Sequence, residues 1–194
     1  MGILPVSCID QCDGPCGCNP VFEVEDFSIT TFSAETLFRA DRNFEVDPNR
    51  FYFHQTLYKA FWVSGLKPVS EIQPAKGFIF SNAALACSPR ESYSVERLKS
   101  IRLINKRKVK INETLTLEEG GVINENFRMT QNFQQEFELA KFIDNQHRFI
   151  KNERLYLKFI AVPNQNIELF FDLEIELDNG SVYIFNESMK VNGG

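Results

Sequence analysis

The sequence predicts a mostly β protein, an antiparallel β-sandwich of the immunoglobulin-like kind with room for one short helix. Three observations carry that expectation. The chain of 194 residues holds 19 Phe against 1 Trp and 5 Tyr, and Phe suits pleated, half-buried surfaces. Apolar and polar residues alternate with period two in several stretches, most plainly in DLEIEL over residues 172–177, so that one face packs and the other stays wet. Turn signals recur about every ten to fifteen residues, the spacing of short sandwich strands.

Taken along the chain, residues 21–31 (VFEVEDFSITT) alternate as a half-buried strand, and Asp47-Pro48-Asn49 marks a turn. Residues 50–63 (RFYFHQTLYKAFWV) make one long aromatic strand or a pair, and 65–76, with two prolines, reads as loop. The apolar run 77–87 (GFIFSNAALAC) is expected to be buried. Residues 94–103 are expected to begin as a helical turn capped by Ser94 before becoming a strand. Alternation then covers 106–117, and Gly120-Gly121 breaks it. In NFQQEFELAKFIDN, Phe133, Phe137, Ala140 and Lys141 fall at helical spacing, which predicts the one helix over 132–145. Residues 154–162 form a strand stopped by Pro163. Residues 167–177 and 181–191 flank Asp178-Asn179-Gly180 as a β-hairpin, since that turn supplies the positive-φ positions a tight reversal needs.

No repeat, charge block or flexible linker interrupts the chain, which predicts a leader over 1–20 and a single domain over 21–194. A net charge of −5 repels phosphate backbones, which argues against nucleic acid as a partner. No run approaches the roughly 18 apolar residues of a membrane-spanning helix.

The leader, MGILPVSCIDQCDGPCGCNP, carries Cys8, Cys12, Cys16 and Cys18, while Cys87 stands apart. Residues ahead of Cys8 have the apolar-then-small character of a bacterial lipoprotein signal, which marks Cys8 as the site of lipid attachment. Pro5 stands where such signals carry Leu, and seven residues are too few for a whole signal peptide, so the reading expects a trimmed start or an internal Met1. Removing Cys8 leaves four thiols for two disulfides. Cys16 and Cys18 are too close to bond each other easily. Cys12 then pairs with one of them and the other reaches Cys87, closing a loop of roughly 70 residues worth about 4 kcal/mol in the chain-entropy model. The rival reading is metal binding, but C-x3-C-x3-C-x-C departs from paired zinc knuckles and no His lies nearby. No cofactor is expected.

Four features together, the leader SCIDQCDGPCGC, the strand FEVEDFSITTF, the cysteine in NAALACSP and the closing hairpin from Phe171 to Tyr183, carry a resemblance. They resemble small cell-envelope lipoproteins of Bacteroidetes-type Gram-negative bacteria, classed as a domain of unknown function. That resemblance implies a sandwich and an extracytoplasmic, lipid-anchored location on the outer membrane, and it assigns no catalytic residue.

The remaining candidates for chemistry are few. His54 and His147 are the only histidines, and no G-x-S-x-G turn accompanies them. Carboxylates gather at Glu23, Glu25 and Asp26, at Glu118 and Glu119, and at Asp172, Glu174 and Glu176, the last three expected on a solvated strand face. Lys106, Arg107, Lys108 and Lys110 form a basic run read as an edge strand. No catalytic residue is assigned. The expectation is a non-enzymatic binding or structural module for a protein or glycan, touching the membrane through its lipid alone. The alternative is a glycan-active enzyme with two carboxylates facing across a cleft.

Overall fold

The computed structural model describes residues 25–40, 43–45, 47, 49–69 and 91–193. In chain order the strands are β1 Asp26–Ala40, β2 Asn43–Glu45, β3 Tyr52–Phe53, β4 Leu57–Val69, β5 Tyr93–Asn105, β6 Val109–Lys110 and β7 Thr116–Leu117. They continue as β8 Phe127–Thr130, β9 Glu136–Glu138, helix α1 Leu139–Asp144, β10 Arg148–Ile150, β11 Arg154–Phe159, β12 Ile167–Leu177 and β13 Val182–Asn192. The mostly β expectation holds. One mixed sheet runs β3-β13-β12-β5-β1-β4-β11-β8-β9, with β2 and β10 attached to β1 and β5. Its two ends do not pair with each other, so the barrel is not closed. The purely antiparallel expectation is corrected at two pairings: β5 meets β1 in parallel, and so does β3 with β13.

The strand β5 explains the bend. Its second half ladders against β12, whereas its first half turns to β10 and touches β1 at one register pair, Phe27 with Ser94. Glu96 substitutes for the missing ladder: Ser28 Oγ donates to Oε1 at 2.5 Å and the Ile29 amide to Oε2 at 3.1 Å. A buried carboxylate with two donors is satisfied, and it fixes the seam where the sheet folds. Nearby, β1 is bulged between Ile29 and Phe32. Opposite the bulge Gly65 is required, because a Cβ there would lie 2.4 Å from Thr31 Cγ2.

The bend divides the sheet into two limbs whose inner faces share one core. Strand β12 buries every second residue, Ile167, Leu169, Phe171, Leu173, Ile175 and Leu177, each worth about 1.5–3 kcal/mol. From the other limb come Phe61, Leu155, Leu157 and Phe127. The rings of Phe127 and Phe171 meet across the core at 5.7 Å, and Phe32 meets Tyr183 at 5.0 Å. Much of the abundant Phe is therefore core.

Of the two readings of residues 50–63 the pair holds: β3 and the start of β4, joined by a turn. Several other local expectations are corrected. Strand β4 runs through Pro68, where the sequence suggested loop; beyond Trp62 only β1 pairs with it, and proline is tolerated on such an edge stretch. Ser94 caps no helix: its hydroxyl donates to the Glu96 carbonyl and accepts from the Phe149 amide, inside a strand that alternates from Tyr93 onward. Residues 106–117 break into β6 and β7 because the Asn112 side chain captures the amides of Thr114 and Leu115. The helix shrinks to Leu139–Asp144 for a similar reason. Asn132 Oδ1 accepts from the amides of Gln134 and Gln135, and residues 136–138 pair with β8. The C-terminal hairpin is as expected, with Gly180 at φ +86°. The run 77–87 lies outside the described residues.

Candidate functional site

A cleft of about 240 Å³ opens where β13 of one limb comes back over β1 and β4 of the other. Pockets for drug-sized ligands run from roughly 300 Å³ upward, so this one suits a single small molecule. Two side-chain bonds hold its walls together: Thr36 Oγ1 donates to the Ser188 carbonyl at 3.1 Å, and further along Tyr183 Oη donates to the Ile29 carbonyl at 3.1 Å.

At the floor lies Lys59, with 2% of its side chain exposed. It follows from strand geometry. Leu57, Lys59, Phe61 and Val63 alternate inward along β4, and Lys59 occupies a position that the pattern reserves for an apolar residue. Its Nζ donates to Thr36 Oγ1 and to Glu187 Oε2, both at 2.5 Å. Glu187 breaks the inward row of β13 in the same way, between Phe185 and Met189. Burial drives the Lys59 amine below its usual range, and the Glu187 and Glu35 carboxylates oppose that shift without reversing it. An ammonium has three N–H donors, and two are used, so one has no acceptor among the described residues. Among the described residues Glu187 accepts only from Lys59, through Oε2, which leaves Oε1 for a ligand.

One wall is aromatic, with Phe38 and Tyr52 at 4.4 Å between ring centroids. The rim carries Arg50 and Lys190, the first 5.5 Å above the Tyr52 ring and the second 5.9 Å from the Phe51 ring. Asp47 also lines the cleft, its Oδ1 accepting from the Asn49 amide at 2.9 Å. Asn186 and Ser188 complete the polar lining.

A second titratable group lies elsewhere. His147 Nε2 sits 2.9 Å from Glu153 Oε2, which also accepts from the Ile150 amide, while Gln131 donates to Oε1 at 2.8 Å. Burial raises the Glu153 carboxyl, but the His147, Ile150 and Gln131 contacts outweigh it and hold the group below its usual value. Phe142 and Phe149 enclose the imidazole at 4.9 and 5.3 Å. The pair ties the turn between β10 and β11, and no hydroxyl of a described residue bonds the ring. His54 lies in the turn before β4, half-buried, its pKa lowered by burial and by Lys158.

The other sequence candidates are dispersed. Asp172, Glu174 and Glu176 do face outward on β12, and each meets a base from β5 or the residue that follows it: Lys106 at 2.7 Å, Arg102 at 3.1 Å and Lys99 at 2.7 Å. The basic run is paired too, through Lys108 with Glu118 and Lys110 with Glu113, while Arg107 stacks on Phe170 at 3.8 Å. Glu25 and Asp26 sit by the seam of β1 and β5, where Arg148 bonds Asp26 at 3.1 Å. An aromatic group on the outer face, Tyr58, Phe133 and Tyr156, is roofed by the loop carrying Phe133 and by Arg39, 4.6 Å above that ring. It offers no open platform.

Cys8, Cys12, Cys16, Cys18, Cys87 and Glu23 lie outside the described residues, and with them the lipid, disulfide and metal readings of the leader. Among the described residues no group of three His, Cys, Asp or Glu converges as a metal site, and no helix is long and apolar enough to cross a membrane. The cleft residues were missed in the sequence, although Lys59 and Glu187 could have been found as charged residues standing in otherwise apolar inward rows. Set against known proteins, the chain matches no family model, no curated protein and no solved structure.

Proposed function

We propose that this chain is a non-enzymatic binding module of the bacterial cell envelope, tethered through lipid on Cys8, that takes a small polar ligand in the cleft over Lys59. The two limbs act as a sandwich of the immunoglobulin-like kind, bent open at the β5–β1 seam. The observation that carries the binding reading is the Lys59–Glu187 pair: two charges taken out of water at a cavity floor, each with hydrogen-bonding capacity left over. Burying an ion pair rarely improves stability, so its presence beside a cavity argues for recognition. The envelope location rests on the cysteine distribution of the leader, which suits an oxidising compartment.

The test of the binding reading is a fragment screen followed by amide chemical shifts. Hits that move Thr36, Ser188 and Lys190 together support it; hits confined to other surfaces contradict it. For the location, mass spectrometry of protein from its host should find an acylated Cys8 and no free thiol. Four reduced thiols, or a bound metal, would contradict it.

A second reading has one observation in its favour. Asp47 and Glu187 line the same cleft, as the paired carboxylates of a glycoside hydrolase would. Glu187 is committed to Lys59, which suits it poorly to act as an acid or nucleophile. Hydrolysis of chromogenic glycosides that is abolished by Asp47→Asn would favour this enzyme over the binding module.

A further inference from the structure

The lining of the cleft says what kind of ligand it takes. Three cations border it, Arg50, Lys59 and Lys190, against two anions, Asp47 and Glu187. Lys59 and Glu187 neutralise each other, which leaves Arg50 and Lys190 against Asp47, a balance of one positive charge. Charge-assisted bonds from such donors to a carboxylate are roughly twice as strong as neutral ones.

The rest of the lining is not that of a simple anion site. Phe38 and Tyr52 present an apolar wall, and Glu187 Oε1 presents an acceptor to hydroxyl groups. A molecule with one carboxylate, several hydroxyls and an apolar ring face uses all three surfaces. The volume of about 240 Å³ admits one such ring and excludes a chain of them from the cavity itself.

We infer that the cleft binds a single uronic-acid residue, its carboxylate toward the Lys59 N–H and Arg50, its ring against Phe38 and Tyr52. This rests on the binding reading above and adds the ligand class. The Glu187 Oε1 atom accepts from a ring hydroxyl. Lys190 borders the other side of the mouth, 4.0 Å from Glu168 Oε1.

The experiment is a titration of the full chain, followed by amide shifts, with D-glucuronate, D-glucose and acetate as separate probes at low ionic strength. Glucuronate should move Thr36, Ser188 and Lys190 saturably, at concentrations roughly tenfold below those needed for glucose or acetate, a difference near 1.4 kcal/mol. Arg50→Ala, at an exposed position, should remove about tenfold of the glucuronate affinity and leave glucose unchanged. Equal binding of glucose overturns the charge argument, and equal binding of acetate overturns the sugar. Silence toward all three probes overturns the inference, while the fragment screen decides separately whether the cleft binds anything.

Discussion

The outer face of β12 and the floor of the cleft hold the same chemical pair, a carboxylate and a cation facing each other across strands, in opposite surroundings. On β12 the bases Lys99, Arg102 and Lys106 are each about half exposed, and water screens them. At Lys59 the ammonium is 2% exposed and its partner Glu187 16%. The comparison teaches that the count of ion pairs says little about where this molecule has committed free energy. The β12 row lies on a sheet face where its cations stand half in water. The Lys59 pair is held at a cost, with each partner stabilising a charge that the core would otherwise reject.

Breaking the buried pair should have the largest effect. Glu187→Ala leaves Lys59 buried without its carboxylate, and urea unfolding should show a loss of about 3 kcal/mol or more. A loss below about 1 kcal/mol would mean that water reaches Lys59 and that the two regions are alike. Next in size is Glu153→Gln, with an expected loss of about 1–3 kcal/mol from a buried group stripped of its charge-assisted bonds. Because the folded carboxyl titrates below its unfolded value, its stabilisation is present above the unfolded pKa and fades as pH falls through the folded one. The variant should therefore show a shallower acid limb in its stability–pH profile.

Lys59 shifts stability with pH in the same direction, although here the charged form is the one that burial penalises. Its folded pKa is lowered, so between that value and the unfolded value of about 10.4 the unfolded chain holds the proton and the folded chain does not. The difference in stability between the native chain and Lys59→Met should then shift in favour of the native chain as pH rises through that window. A flat difference would deny that burial governs the amine. Smallest of all is Lys106→Ala on the β12 face, expected within about 0.5 kcal/mol and vanishing in high salt. A larger, salt-resistant loss would erase the contrast from the other side.

Much of the architecture was legible in the sequence because period-two patterning reports which face is buried, and β12, β13 and their Asp178-Asn179-Gly180 turn follow it directly. The failures have local physical causes. Asn112 and Asn132 capture backbone amides with their side chains and cut short a strand and a helix that periodicity alone extends. Ser94, a plausible cap by residue type, is instead spent on the seam between β5 and β10. The bend itself was invisible, since nothing in the residues of β5 says that its two halves pair with different neighbours.

The cleft was illegible for a related reason. Thr36, Lys59 and Glu187 are 23 and 128 residues apart in sequence and meet only after the limbs close. What the sequence did show was the anomaly, a Lys between Leu57 and Phe61 and a Glu between Phe185 and Met189. Charged residues in an apolar row deserve to be read as pairs seeking each other, because neither is tolerable alone. The acid row on β12, by contrast, was conspicuous in the sequence and proves ordinary.

The central claim is that the buried pair serves recognition and not stability, and the variant Lys59→Met/Glu187→Leu separates the two. Measured side by side with the native chain, it should be at least as stable in urea and should lose the saturable amide shifts with D-glucuronate. Undiminished glucuronate binding in a stable double variant would contradict the account.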